Sequence, residues 1–138
     1  MNEITYCRKR KLNLAQVIEL YRESTLGQRR PIQNRAIMKA MLEHADVMIT
    51  AWDANNLVGL ARTLTDFSYV AYLADLAVHR DYQRQGIGTE LIRRTQAALE
   101  PSCFITLLAA PKANEFYPKI GFQHNPRAWM LPPRGGER

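Results

Sequence analysis

The chain has 138 residues, of which 46% are apolar and 23% are charged. This length fits one domain and excludes a second, and the composition excludes a mainly disordered chain. Nineteen basic and thirteen acidic side chains give a net charge of +6, which favours an anionic partner but does not choose among nucleic acid, a membrane surface and a phosphate-bearing cofactor.

The first part of the chain predicts a strand and two helices. Residues 4–7 are typical of a strand, and Asn13 then caps a helix in which Gln16 gives a start like a capping box. The apolar positions that follow the helical period are Leu14, Val17, Ile18 and Tyr21. A second helix is predicted from about Asn34 to His44. The basic groups at 8–11 and 29–30 are expected to be solvated.

The middle of the chain predicts three strands and a helix. Residues 47–52 and 57–65 indicate a hairpin around the turn 53–56, and residues 69–78 indicate the next strand. Apolar side chains recur at helical spacing over residues 89–99, which predicts a helix there.

The last part of the chain predicts a strand, a short helix and a final strand. Residues 103–109 are almost wholly apolar, which is typical of a strand buried on both faces. A helix over 112–117 is expected to stop by Pro118, with Gly121 as its left-handed exit, and residues 128–131 are expected to form the last strand. The pattern predicts an α/β fold with a mixed sheet and helices on both faces, as a single domain over 1–131 with a flexible tail over 132–138.

Membrane, disulfide and metal chemistry are not favoured by the sequence. The longest apolar stretch is far shorter than the roughly 20 residues of a membrane span, and the N-terminus has no apolar segment after its charges, so a cytoplasmic location is expected. Cys7 and Cys103 are expected to be buried free thiols. The histidines lack metal-ligand spacing, and His79 is expected at the surface of a turn. The methionines at 38, 41 and 48 are expected in the core.

The stretch 75–92 carries the strongest chemical signal. A buried strand ends at Val78, a polar turn follows, and Gly86 and Gly88 precede a helix. The unpaired amides and positive dipole end of such a helix favour a phosphate group, and Arg84 adds a charge. A tight turn with a packed glycine is the alternative. The spacing fits neither a Rossmann fingerprint nor a P-loop.

Two motifs resemble signatures of the GCN5-related N-acetyltransferase (GNAT) family. Gln83-Arg84-Gln85-Gly86-Ile87-Gly88 is similar to its Gln/Arg-x-x-Gly-x-Gly/Ala signature and follows a Leu-Ala-Val-His strand end. Phe116-Tyr117-Pro118-Lys119-Ile120-Gly121-Phe122 resembles the aromatic-Tyr-x-x-x-Gly-Phe end of the last helix of the family. The resemblance covers essentially the whole chain, by motif from Tyr72 to Phe122 and by pattern before that.

The resemblance implies a centrally splayed sheet that binds acetyl-CoA, or another acyl-CoA, where two parallel strands separate. It implies no metal. Main-chain groups of Leu76, Ala77 and Val78 would pair with the pantetheine arm. The pyrophosphate would be held by the loop and first helical turn, whose assigned residues are Gln83, Arg84, Gln85, Gly86, Ile87, Gly88 and Thr89.

The family mechanism implied by the resemblance is direct attack of an amine on the thioester, without a covalent enzyme intermediate. Tyr117 falls where the family commonly places the tyrosine that protonates the departing thiolate, although packing beside Phe116 and Phe122 is the alternative. The asparagine that many members carry seven residues earlier is Ala110 here, and Asn114 is not assigned that role.

The general base is not evident from the sequence. A primary amine has a pKa near 10.4 and must lose a proton before it attacks. Family bases often lie two and four residues before the leucine at 76, and these positions hold Ala74 and Tyr72 here. Asp75 has the right chemistry but the opposite strand parity, unless a bulge turns it. A structural carboxylate is the alternative.

The sequence leaves three candidate functions open for this chain. The first is an acetyl-CoA-dependent N-acetyltransferase that acts on a small-molecule or peptide amine, with a homodimer left open. The second is a catalytically weak CoA-binding regulatory module, which the missing base suggests. The third is a nucleic-acid binder, which the charge of +6 suggests, but no helix-turn-helix, zinc or RNA-binding signature is present.

Overall fold

The computed structural model describes residues 3–135, which form two compact units, one that ends at Leu107 and one that begins at Leu108. The single domain over 1–131 stays a prediction, and the last three residues of the expected tail lie outside the described part. The strands and α-helices of the first unit are β1 (Ile4–Cys7), α1 (Leu14–Glu23), α2 (Arg35–Glu43), β2 (Val47–Asp53), β3 (Asn56–Thr65), β4 (Val70–Val78), α3 (Ile87–Ala97) and β5 (Phe104–Thr106). Two short 3-10 helices, Leu26–Arg29 and Arg80–Tyr82, lie in the connecting segments. The second unit contains α4 (Phe116–Lys119).

The strands form a mixed sheet in the order β1-β2-β3-β4-β5. The pairs β1–β2, β2–β3 and β3–β4 are antiparallel, whereas β4 and β5 are parallel. Leu60 and Ala77 pack with α1 and α2 in the main core on one face, which is called the α1 face below. A side chain at Gly59 would point to the opposite face, where Gly59 lies against α3. The predicted mixed α/β fold with helices on both faces is therefore confirmed.

The predicted caps position both helices of the α1 face. The Asn13 side chain accepts hydrogen bonds from the amides of Ala15 and Gln16, and the Asn34 side chain accepts one from Ile37. The capping-box role of Gln16 is wrong. Its side-chain amide donates instead to the Asn55 carbonyl, at 3.0 Å, in the β2–β3 turn. This bond ties the first turn of α1 to the hairpin.

The core predictions for the sulfur-containing residues are mostly confirmed. Met38 is fully buried, and Met41 and Met48 are partly buried against the same core. Both cysteines are free thiols. Cys103 is buried as expected, but Cys7 is only partly buried.

The structure corrects the predictions for the end of the chain. The strand predicted over 103–109 is only three residues long, at the edge of the sheet, so Phe104 is 49% exposed rather than buried on both faces. The helix predicted over 112–117 is replaced by a short 3-10 helix, Pro111–Ala113, and by α4, which contains Pro118 in its first turn, where a missing N–H costs no hydrogen bond.

The last predicted strand, 128–131, does not form. Trp129 and Leu131 are 93% and 95% exposed. The left-handed exit at Gly121 is confirmed, with a φ of 102°.

Candidate functional site

The pairing of β4 with β5 is short and leaves part of β4 open. The last pair is Tyr72 with Thr106, yet β4 continues to Val78. Within residues 3–135, no strand pairs with β4 along this edge beyond Tyr72. An extended ligand can therefore add to this edge as another strand would, through main-chain hydrogen bonds. Leu76, Ala77 and Val78 lie at the end of the open edge that leads into the next loop.

The loop that follows β4, residues 79–86, is held in place at several points. The His79 amide donates to the Val58 carbonyl at 2.8 Å, which continues the β3–β4 pairing past the strand end. Three loop side chains bond elsewhere: Arg80 to Glu23, Tyr82 to Asp53, and Gln83 to the Val78 carbonyl. The site is therefore built on a braced loop, and Gln83 contributes one of the braces.

His79 has a defined place in this loop. Its Nδ1 accepts a hydrogen bond from the Asp81 amide at 3.1 Å, and its side chain is 23% exposed, less than expected for a surface residue. Among the described residues, no group of three or more His, Cys, Asp or Glu could hold a metal ion.

The N-terminus of α3 presents unpaired amides to open space. Gly86 is its N-cap, and no side chain caps the helix. Gly86 adopts a φ of 82°, a left-handed conformation that favours glycine, and a Cβ there would meet no atom within 4 Å. The first amides of a helix have no partner within the helix, and they carry its positive dipole end. Such an arrangement favours the binding of an anion.

The charges around this helix end also favour an anion. Arg84 is exposed, holds a left-handed φ of 65° and makes no ion pair within the described residues. Glu90, in the first turn of α3, is paired with Arg93 at 2.5 Å and Arg94 at 2.7 Å. Hydrogen bonds from these two arginines lower the pKa of Glu90 to about 2. Its negative charge is thus offset by two cations.

The first turn of α3 lies very close to the sheet. A Cβ on Gly59 would be 3.0 Å from Cγ2 of Ile87, 3.1 Å from Cδ1 of Leu91 and 3.2 Å from Cβ of Ala51. Ile87 and Leu91 are buried at this contact. The absence of a side chain at Gly59 therefore sets how closely the anion site approaches β3.

A β-bulge in β4 lies directly before Asp75. Arg62 pairs with Asp75, but the next residue, Thr63, pairs with Leu73, so Ala74 is the extra residue. The bulge lies before Asp75 and does not turn it, because the pairing is regular from Asp75 to Val78 and Asp75 keeps the parity opposite to Leu76. Asp75 lies two residues before Ala77 in β4, and side chains two residues apart in a strand share a face. Asp75 therefore lies on the α1 face.

Asp75 is 1% exposed and both of its carboxylate oxygens accept charged or hydroxyl hydrogen bonds. Nε of Arg30 donates to Oδ1 at 2.5 Å. Nε of Arg62 and the Tyr21 hydroxyl donate to Oδ2 at 2.6 and 2.7 Å. Burial alone would raise the pKa of Asp75, but the bonds and charges from Arg62, Tyr21 and Arg30 hold it below its usual value. These contacts favour the structural alternative over a general base.

The partners of Asp75 were not predicted from the sequence. Arg30 was expected to be solvated, but its side chain is only 22% exposed and reaches the sheet. Arg62 lies within an apolar strand, and a charged residue there indicates a buried counter-ion. That signal was available, although it does not identify Asp75.

Tyr117 lies in the second unit, where it is half-buried among aromatic rings. Its ring meets Phe116 at 5.1 Å and Phe122 at 5.3 Å, both edge to face. Burial raises the pKa of its hydroxyl, which is therefore protonated at neutral pH. The packing alternative and the proton-donor role both remain compatible with this environment.

Comparison with known proteins gives the family. The family described as Acetyltransferase (GNAT) domain matches residues 20–127. The N-acetyltransferase ycf52 of Porphyra purpurea, described as uncharacterized, is 27% identical over 91% of this chain and 74% of its own length. The ycf52 protein of Pyropia yezoensis is 33% identical over 71% of this chain and 58% of its own length.

Among solved structures, the GNAT family acetyltransferase SP0256 of Streptococcus pneumoniae has a TM-score of 0.75 and 27% identity, and the match covers 94% of this chain and 98% of that one. The chain belongs to the GNAT acetyltransferase family. The fold, the family and the expectation of an N-acetyltransferase are thereby confirmed at the level of the family. None of the helices described in residues 3–135 is long and apolar enough to cross a membrane. The cytoplasmic location stays a prediction.

Proposed function

We propose that this chain transfers an acetyl group from acetyl-CoA to a primary amine by direct attack in a ternary complex. The uncapped N-terminus of α3 carries the proposal, because Gly86 faces open space beside the free charge of Arg84. Family members act on amine acceptors such as peptides or small molecules, and the family generally uses acetyl-CoA.

The residues present fit acetyl-CoA. Its pyrophosphate would bind the backbone amides from Arg84 to Thr89, where the helix end and the arginine supply positive charge. Its pantetheine arm would add to the open edge of β4 at Leu76–Val78. Bound in this way, acetyl-CoA supplies the activated acetyl group. The Val78 carbonyl already accepts a hydrogen bond from Gln83, so the arm would pair mainly with the other main-chain groups of this edge.

Within this proposal, Tyr117 donates a proton to the departing thiolate. Its hydroxyl is protonated at neutral pH because burial raises its pKa. Asp75 as a base is less well supported, because three donors already occupy its oxygens. The amine would then lose its proton to water before attack.

A CoA-binding regulatory module is the second candidate. The observation that favours it is the occupied carboxylate of Asp75, which leaves the amine without an assigned base. Such a module would bind CoA with the same loop but release no thiol from acetyl-CoA when amines are added.

The test combines calorimetry with a thiol-release assay. Acetyl-CoA is titrated into the protein, and turnover is then measured with phenethylamine, spermidine, kanamycin and a lysine-containing peptide. Binding with amine-dependent release of CoA supports the transferase. Binding without release for any amine supports the regulatory module. No binding of acetyl-CoA contradicts both candidates.

A further inference from the structure

The segment that joins α1 to α2, residues 24–34, is fastened to β4 at the bulge. Nε of Arg30 donates to Oδ1 of Asp75 at 2.5 Å, and Nη2 donates to the Ala74 carbonyl at 2.7 Å. One guanidinium therefore binds both the extra residue of the bulge and the residue after it. This planar two-point contact fixes the orientation of the arginine as well as its position.

The same segment has a strained and crowded start. Thr25 has a φ of 71°, a left-handed conformation that is unfavourable for a residue with a Cβ. A Cβ at Gly27 would lie 2.9 Å from Cδ1 of Ile32 and 3.3 Å from the Tyr21 carbonyl. A 3-10 helix over Leu26–Arg29 and backbone hydrogen bonds within the segment hold part of this path, and contacts outside the segment offset the strain at Thr25.

Asp75 is the point at which these contacts meet. It joins Tyr21 of α1, Arg30 of the segment and Arg62 of β3. Two guanidinium groups share one carboxylate, so removal of Arg30 still leaves the buried pair of Arg62 with Asp75 intact. The two arginines therefore have separable roles: Arg62 neutralises the buried carboxylate, and Arg30 attaches the segment to it.

This attachment point lies where the acceptor would meet the acetyl group. In the proposed binding mode, the CoA arm runs from the α3 end along Val78 to Leu76, and its reactive end points toward Ala74. Strand residues rise about 3.3 Å each, so the bulge lies about 13 Å from Val78 along β4. The segment 24–34 contacts β4 at this point on the α1 face, through Arg30.

We propose that Asp75 is a positioning residue, which acts through Arg30 to hold the segment 24–34 against the bulge and thereby sets the affinity for the amine acceptor. The proposal rests on the proposed acetyl-transfer function. It gives Asp75 no proton-transfer step.

The test compares Arg30→Gln with the matched control Arg29→Gln. Both changes remove one positive charge from the same segment, but Arg29 is exposed and its side chain makes no ion pair within the described residues. The amine with the highest turnover in the panel above serves as the probe. For Arg30→Gln, the KM for this amine is expected to rise about tenfold, while the KM for acetyl-CoA stays within twofold. Arg29→Gln should leave both values within twofold, and Arg30→Lys should recover part of the loss.

Amide hydrogen exchange supplies a second measurement that needs no acceptor. Exchange over residues 25–34 should be at least tenfold faster in Arg30→Gln than in the wild type and in Arg29→Gln. Unchanged exchange overturns the positioning role, and faster exchange with an unchanged amine KM overturns the link to the acceptor. An equal rise in both KM values indicates general damage and also contradicts the proposal. A wild-type protein that acetylates no amine refutes the proposed function itself, which distinguishes that failure from a failure of this inference.

Discussion

Replacing Gly86 by glutamine and by glutamate separates backbone strain from charge at the proposed pyrophosphate site. Any side chain at this φ of 82° adds a strain of about 1–2 kcal/mol. A Cβ there meets no atom within 4 Å, so both variants are expected to fold. Glutamine and glutamate have the same length and differ by one negative charge. The difference between the two variants therefore reports the charge alone.

The size of this difference follows from Coulomb's law. Two charges about 5 Å apart interact by about 1–2 kcal/mol at an effective dielectric constant of roughly 40–80. A pyrophosphate with two charges gives about 2–3 kcal/mol, so CoA should bind Gly86→Glu roughly 30- to 150-fold more weakly than Gly86→Gln. Calorimetry measures both affinities, and thermal unfolding checks that the variants are folded. Equal affinity in two folded variants would show that the pyrophosphate does not bind at Gly86.

Three further predictions concern Tyr117, the basic surface and Asp75. Tyr117→Phe should lower turnover by roughly 10- to 1,000-fold, with CoA affinity and melting temperature nearly unchanged; parallel losses of activity and stability would indicate packing. The association rate of CoA, measured by stopped flow, should fall several-fold as ionic strength rises past about 0.15 M, where the Debye length is about 8 Å; a constant rate would contradict electrostatic attraction by the basic surface. The pKa of Asp75 is lower in the folded protein than in the unfolded chain. The stability that the ionised carboxylate gives the folded protein is therefore fully present above the unfolded pKa of about 3.9, and it is lost as pH falls through the pKa of the folded state. Urea unfolding of wild type and Asp75→Asn should therefore converge at low pH, and a pH-independent difference would contradict this.

Local sequence patterns predicted the parts of the fold that local interactions determine. The caps at Asn13 and Asn34, the hairpin around residues 53–56 and the loop before α3 all depend on residues within a few positions of one another. The end of the chain was predicted less well. Short apolar runs such as 128–131 do not reveal whether a neighbouring strand is available, and here none pairs with that segment among the described residues.

The acceptor side of the site could not be predicted for a different reason. The bulge at Ala74 arises from a shift in pairing between β3 and β4, and strand register is a property of two segments together. The Arg30–Asp75 contact joins residues 45 positions apart. The sequence shows that Arg30 and Asp75 are charged, but only the three-dimensional fold brings the arginine to the buried carboxylate.

The open edge of β4 also affects how this protein behaves at high concentration. From Leu73 to Val78, the residues are apolar except Asp75, whose charge is buried and neutralised, so this edge has no exposed charged side chain of its own to discourage pairing with another chain. A strand edge without a neighbouring strand can act as a template for aggregation. A CoA arm along the edge would cover the same main-chain groups. The ligand would then act as a solubilising agent, and purification in its presence should keep the protein monodisperse.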